Sequence, residues 1–208
     1  MRSVTAKLHY AVLLLAFAAA GARAAAQEPG PEQLVRTVTN DVLESIHGDK
    51  ALQAGDKRKA LALAERKILP HVDFRAATRM AVGHAWTEAT PEQKTELVRQ
   101  FRSMLVRIYS NAIGTYRGQT MRVLPVHMAP GATDVTVRNE YLKPGAQPVP
   151  VDYAMHRTAQ GWKIYDITVA GVSLVTTYRG QFEEVVRQSG VQGLISRMEQ
   201  KNRPTALQ

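Results

Sequence analysis

The chain has 208 residues, 27 of them Lys or Arg against 18 Asp or Glu, a net charge of +9, and no cysteine. That length suits one domain with a sizeable core, and without thiols neither disulfides nor cysteine-ligated metal can help to hold it. The positive balance suits nucleic acid, anionic lipid surfaces or acidic proteins as partners.

At the N-terminus Arg2 and Lys7 precede an unbroken apolar run, Tyr10–Ala20. The run falls well short of the roughly 20 residues that a membrane-crossing helix needs. Ala22-Arg23-Ala24 and Ala24-Ala25-Ala26 both put small residues where a signal peptidase requires them. Residues 1–26 therefore read as a signal peptide cleaved after Ala24 or Ala26, a retained anchor being the alternative. Cleavage removes Arg2, Lys7 and Arg23 and no acid, taking the net charge from +9 to +6. Export makes nucleic acid the least suitable partner. Residues 27–31 then form a flexible lead, residues 32–201 a single domain and residues 202–208 a tail. No later segment reads as a membrane span, so the mature protein is expected to be soluble.

Leu34, Val35, Val38, Val42, Leu43 and Ile46 recur at helical spacing over Glu32–His47, and Gly48 stops that helix. A second helix is expected from Asp56 to just before Pro70, because a residue preceding proline avoids helical geometry. Asp73 caps a third helix ending near Gly83. Thr90-Pro91-Glu92-Gln93 is the strongest local signal: Thr90 caps, Pro91 suits the first turn, and Gln93 reaches back to the cap. The long helix that follows commits Leu97, Phe101, Leu105, Ile108 and Ala112 to one stripe, with Met104 and Tyr109 beside it. Arg99, Arg102 and Arg107 lie off that stripe.

After Gly114 the period changes to two. Thr120–Met128, Thr133–Leu142, Val149–Arg157 and Trp162–Val169 read as strands, joined by turns at Pro130-Gly131, Pro144-Gly145 and Gln160-Gly161. Beyond Gly171, Ser173 caps a helix with Val175, Tyr178, Phe182 and Val185 or Val186 inward. Arg179, Glu183 and Arg187 make a charge ladder on its outside. Gly190 breaks this helix, and Leu194, Ile195 and Met198 mark a last short one. Helices, then strands, then helices give an α+β fold: an antiparallel meander of about four strands with several helices covering one sheet face.

Candidate chemistry is sparse. His47, His71, His84, His127 and His156 show neither HxH nor HExxH spacing, so no metal site is expected. Gly171-Val172-Ser173 only faintly echoes a nucleophile elbow, since Val175 stands where the motif needs glycine. No glycine-rich phosphate loop occurs. Asp152 and Asp166 interrupt apolar strands, and a carboxyl facing an apolar hollow could serve as a general base. The plainer reading has both facing solvent or pairing with an Arg on the helices. By simple alternation Asp166 shares a face with Trp162 and Ile164, opposite Tyr165, Ile167 and Val169. The aromatics Trp86, Phe101, Tyr109, Tyr116, Tyr153, Trp162, Tyr165, Tyr178 and Phe182 all fall in segments that must meet at the helix–sheet interface. Periodicity does not separate a filled interface from a hollow one able to take a small ligand.

Several motifs together match a known family. Ile68-Leu69-Pro70-His71-Val72-Asp73-Phe74 is followed by Gly83, Trp86 and Ala89-Thr90-Pro91-Glu92-Gln93, and later by Tyr116-Arg117-Gly118-Gln119-Thr120. The most specific is Gly161-Trp162-Lys163-Ile164-Tyr165-Asp166-Ile167 running into Gly171-Val172-Ser173-Leu174-Val175-Thr176-Thr177-Tyr178-Arg179, with Gly190 and Gly193-Leu194 closing it. In these motifs the chain resembles the MlaC or toluene-tolerance family of periplasmic phospholipid-binding transport proteins, over about residues 32–201. The resemblance implies a lipid carrier of the Gram-negative periplasm, not an enzyme, with no cofactor and phospholipid as cargo, its acyl chains in an apolar cavity between a curled antiparallel sheet of about four strands and several helices. It also implies exchange with an outer-membrane lipoprotein–porin complex and with an inner-membrane ABC transporter through its ring of substrate-binding subunits. The carried-over cavity residues are Leu69, Phe74, Phe101, Leu105, Tyr109, Tyr153, Met155, Tyr165, Ile167, Val169, Val172, Leu174, Val175 and Tyr178. Two alternatives are another apolar cargo, such as a hopanoid or sterol, and a cavity enzyme using Asp152 or Asp166.

Overall fold

Seven α-helices and five strands build the described part of the chain, residues 28–109 and 118–203 of a computed structural model. The expected signal peptide, Ala112, Gly114 and the Tyr116-Arg117 pair fall outside these residues.

Local chemistry starts the helices. Helix α1 (Pro31–His47) has proline in its first turn and ends at Gly48. A four-residue helix, α2 (Lys50–Gln53), was not expected; Asp49 creates it by accepting the amides of Ala51 and Leu52 at 2.8 and 3.2 Å. Asp56 caps α3 (Lys57–Lys67), which stops short of the expected end near Pro70. The proline sits instead in a 3₁₀ turn, Leu69–His71. Asp73 caps α4 (Phe74–Val82) through the Ala76 amide at 2.8 Å. A short α5 (Ala85–Glu88) precedes α6 (Pro91–Tyr109). The start of α6 is the reciprocal box: the Thr90 amide donates to Gln93 at 3.0 Å and the Gln93 amide donates to Thr90 Oγ1 at 3.2 Å. Helix α7 (Leu174–Asn202) takes in both expected C-terminal helices and kinks at Gly190, whose φ of 65° and ψ of −176° are not helical.

The strands β1 (Thr120–Val123), β2 (Asp134–Leu142), β3 (Val149–Thr158), β4 (Gly161–Val169) and β5 (Val172–Ser173) form one antiparallel meander in chain order. β1 is shorter than expected because Pro125 has no N–H for a ladder, and the next amide, Val126, goes to the Glu32 carboxylate of α1. The two-residue β5 was expected only as a helix cap. It forms because Ala170 and Gly171, at φ of 49° and 83°, close the tight turn that pairs Val169 with Val172.

One irregularity decides which residues face the helices. Ala154 pairs with Asp166 but Met155 pairs with Ile164, so Tyr165 is an extra residue, a β-bulge. Partners directly across a sheet share a face. The rows Val135–Met155–Ile164 and Val137–Tyr153–Ile167 therefore lie on one face, continued by Asn139–Val151–Val169. Simple alternation put Ile164 and Ile167 on opposite faces; the bulge puts them together.

The interior is divided. Helices α4 to α7 enclose one core in which the Phe101 ring meets Tyr178 and Phe182 edge-on, both at 5.4 Å between centroids. A second core of Val35, Val123, Val137, Met155 and Trp162 lies between α1 and the sheet, and a third joins α1, α2 and α3. The charge ladder expected outside α7 is different in detail: Arg179 turns inward to donate twice to the Met80 carbonyl, at 3.0 and 2.7 Å, and Arg187 pairs with Glu184. Among the described residues no helix is long and apolar enough to cross a membrane.

Candidate functional site: two joined apolar hollows

Between these cores the helices and sheet leave two hollows. Both are within or close to the size range of small-molecule sites, roughly 300–1,000 Å³. The first, of about 310 Å³, lies between α1 and the β1–β3 side of the sheet, with Leu34, Val38, Thr39, Val42, Met121, Tyr141 and His71 in its wall. The second, of about 400 Å³, lies between β4, α4, α6 and the start of α7. Ile68, Tyr153 and Ile164 line both, so the hollows share a wall.

That wall exists because the Leu69–Phe74 segment is fastened to the sheet. Val72 bridges to Ile164 in parallel, the Asp73 amide donates to the Ile164 carbonyl at 2.8 Å, and Asp73 Oδ2 lies 3.0 Å from His156 Nε2 on β3. The fastening brings Leu69 and Phe74 over the face that carries Tyr153 and Ile167.

Leu69, Phe74, Leu105, Tyr109, Tyr153, Tyr165, Ile167, Val169, Leu174 and Val175 all line the second hollow. Four residues carried over with them lie elsewhere. Phe101 is fully enclosed in the helical core, with Tyr178 packed against it, because both belong to the stripe where α6 meets α7. Met155 fills the sheet core, and Val172 is 59% exposed at the tip of the β4–β5 hairpin. The whole first hollow was missed. Its signal was the width of the α1 stripe: Leu34, Val38 and Val42 lie beside Val35 and Ile46, more apolar surface than one helix contact can cover.

Polar groups in the walls are few. Asp166 lines the second hollow and is 8% exposed, but it neither faces solvent nor pairs with an arginine. Ser173 Oγ donates to it at 2.5 Å, and the amides of Ile167 and Val175 donate at 2.8 and 3.1 Å. Its oxygens tie the β4–β5 hairpin to the first turn of α7. Asp152 is paired across the strands with Arg138 and Thr168 and lines neither hollow. Burial lowers the His71 pKa, and the nearby Lys163 ammonium lowers it further, so the imidazole in the first hollow is held neutral. Burial pushes the Tyr153 phenol up to about 12, so it stays a protonated donor. Among the described residues no three His, Asp or Glu side chains gather to hold a metal.

Comparison with known proteins agrees with this architecture. The family model described as MlaC protein matches residues 36–200. A solved structure of a phospholipid-binding protein from Ralstonia solanacearum, in complex with a phospholipid, superposes with a TM-score of 0.77 at 37% identity. That match covers 84% of this chain and 97% of the other. The intermembrane phospholipid transport system binding protein MlaC of Haemophilus influenzae is 19% identical over 86% of this chain and 85% of its own. The toluene tolerance protein ttg2D of Pseudomonas putida is 24% identical over 77% of this chain and 74% of its own.

Proposed function

The chain belongs to the MlaC protein family, and from that premise we propose that it binds phospholipid and carries it across the periplasm. In this reading the acyl chains occupy the two joined hollows, and the carrier exchanges its cargo with an outer-membrane lipoprotein–porin complex. On the inner side it meets an ABC transporter through the transporter's ring of substrate-binding subunits. Residues 1–26 act as the export signal, and residues 32–201 are the carrier domain.

The observation that carries the reading is the pair of apolar hollows joined at Tyr153, in a chain 37% identical to a protein solved with a phospholipid bound. The energetics favour a carrier. Each buried methylene is worth roughly 0.8 kcal/mol relative to water, so about 25 of them contribute on the order of 20 kcal/mol. A free lipid does not cross an aqueous gap against such a term at a useful rate. Transfer from bilayer to hollow exchanges one apolar surrounding for another, which leaves the step near balance and its direction to the partners. Such work needs no catalytic group, in keeping with the structural employment of Asp166.

Mass spectrometry of an organic extract of the gently purified protein tests the reading. Phospholipid at near-stoichiometric amount is expected. A phosphorus-free polycyclic lipid would replace the cargo by a hopanoid or sterol, and an empty protein that takes up nothing from liposomes would end the carrier reading. Asp152→Asn should leave lipid transfer between vesicles unchanged, whereas an enzyme using that carboxylate would lose turnover.

A further inference from the structure

In a wall made almost wholly of hydrocarbon, two hydroxyl groups converge on one poor acceptor. Tyr153 donates to the Met121 thioether at 3.7 Å, and Thr39 on α1 donates to the same sulfur at 3.8 Å. All three residues line the first hollow, and Tyr153 also lines the second. A thioether is a weak acceptor, whereas an oxygen takes an O–H at roughly 2.5–3.0 Å and a buried donor without a good acceptor is costly. The hollow thus holds two hydroxyls whose hydrogen bonds improve if a ligand brings an oxygen to them.

We propose that Tyr153 and Thr39 form an acyl-carbonyl site, donating to an ester oxygen of the bound diacyl lipid where its two chains part. The inference rests on the phospholipid reading above and sharpens it. A two-chained amphiphile with one chain in each hollow must straddle the wall that the hollows share, and its ester groups are the only oxygens set between the chains and the head. Tyr153 stands in that wall. Because its phenol keeps its proton, it donates throughout the physiological pH range. The site selects ester-linked over ether-linked chains, since an ether offers no carbonyl.

The test uses the delipidated full chain and three probes: a diacyl phosphatidylglycerol, its dialkyl ether analogue with the same chain lengths, and palmitic acid. The wild-type protein should prefer the ester over the ether by about three- to tenfold, the scale of one or two net hydrogen bonds. In Tyr153→Phe, which removes only the hydroxyl, this ratio should fall toward one. Thr39→Val should lower it less, and it provides an independent reading should the tyrosine variant fold poorly. Equal ester and ether affinities in the wild type overturn the site, as does a Tyr153→Phe loss that is the same for both lipids. Sensitivity to the hydroxyl with palmitic acid alone would make this a fatty-acid carboxyl site and overturn the diacyl assignment. If neither phospholipid binds the folded wild type, the carrier reading itself fails, an outcome separate from a lost ester preference.

Discussion

A carboxylate buried at the seam of a hairpin and a helix is held by its donors, and Asp166 has three of them. Replacing it with Ala strands the Val175 and Ile167 amides and the Ser173 hydroxyl in a largely dry site. The expected loss is about 2–4 kcal/mol, read as a lower urea midpoint. Ser173→Ala removes one of those donors and also the cap that accepts the Thr176 amide at 3.0 Å, so about 1–2 kcal/mol is expected. A near-neutral Asp166→Ala would show that the hairpin is not fastened through this side chain. His71 gives the molecule a pH dependence whose sign follows from its environment. Its folded pKa lies below the ordinary value of 6.5, so the unfolded chain binds the proton more readily. That contribution to stability is complete above the unfolded value and is lost as pH falls through the folded one. His71→Gln should flatten the decline in urea midpoint between pH 7.5 and 5.5, and an unchanged slope would place the titration elsewhere.

The longer helices were legible where one capping residue starts them, whereas the four-residue α2 that Asp49 starts was too short to show a stripe. Asp56, Asp73, Thr90 with Gln93, and Ser173 all cap where a short polar side chain precedes an apolar stripe. The bulge at Tyr165 leaves one trace in the sequence, the adjacent apolar pair Ile164-Tyr165 that interrupts the alternation of its strand, but only the register against β3 identifies an extra residue there. That single insertion also explains why Ile164, Ile167 and Val169 can all serve one face, which strict alternation forbids. β5 and its turn were hidden for another reason: Ala170 adopts the left-handed region, where alanine is disfavoured. Ala170→Gly should therefore raise thermal stability, by about 0.5–1 kcal/mol, although alanine is normally the better ordered residue. A fall in melting temperature would mean that the turn tolerates alanine without strain. At the other end of α7, a Cβ on Gly193 would come within 2.2 Å of the Ser189 Cβ, because the kink at Gly190 folds the helix onto itself there. Gly193→Ala should cost about 1–3 kcal/mol by overpacking, seen in the same melting curve.

At the scale of the whole molecule, folding and cargo are assigned to different volumes. The helical core around Phe101, Tyr178 and Phe182 fills its own volume and meets the second hollow only along its edge, at Ala77, Leu105 and Val175, while the α1–sheet core stops short at the first hollow and Tyr153. Periodicity could not show this division, since an apolar stripe looks the same whether it faces a neighbour or a void; Phe101 and Leu105 share one stripe, yet only Leu105 lines a hollow. The division makes the two spaces separately testable. Leu105→Trp extends into the larger hollow and Val38→Trp into the smaller, and neither changes a residue fully enclosed in a core. Ligand binding to the native state alone stabilises it by about 2.7 kcal/mol at a concentration 100 times Kd. Delipidated wild-type protein should therefore gain melting temperature when a diacyl phospholipid is added. Each tryptophan variant should melt at or above the empty wild type, because a void has been filled, yet gain little from added lipid. If one variant still responds fully, a single hollow suffices for the cargo and the two-chain arrangement across Tyr153 is wrong. If both do, the lipid lies outside the hollows altogether, and the apolar space must then be explained by something other than carriage.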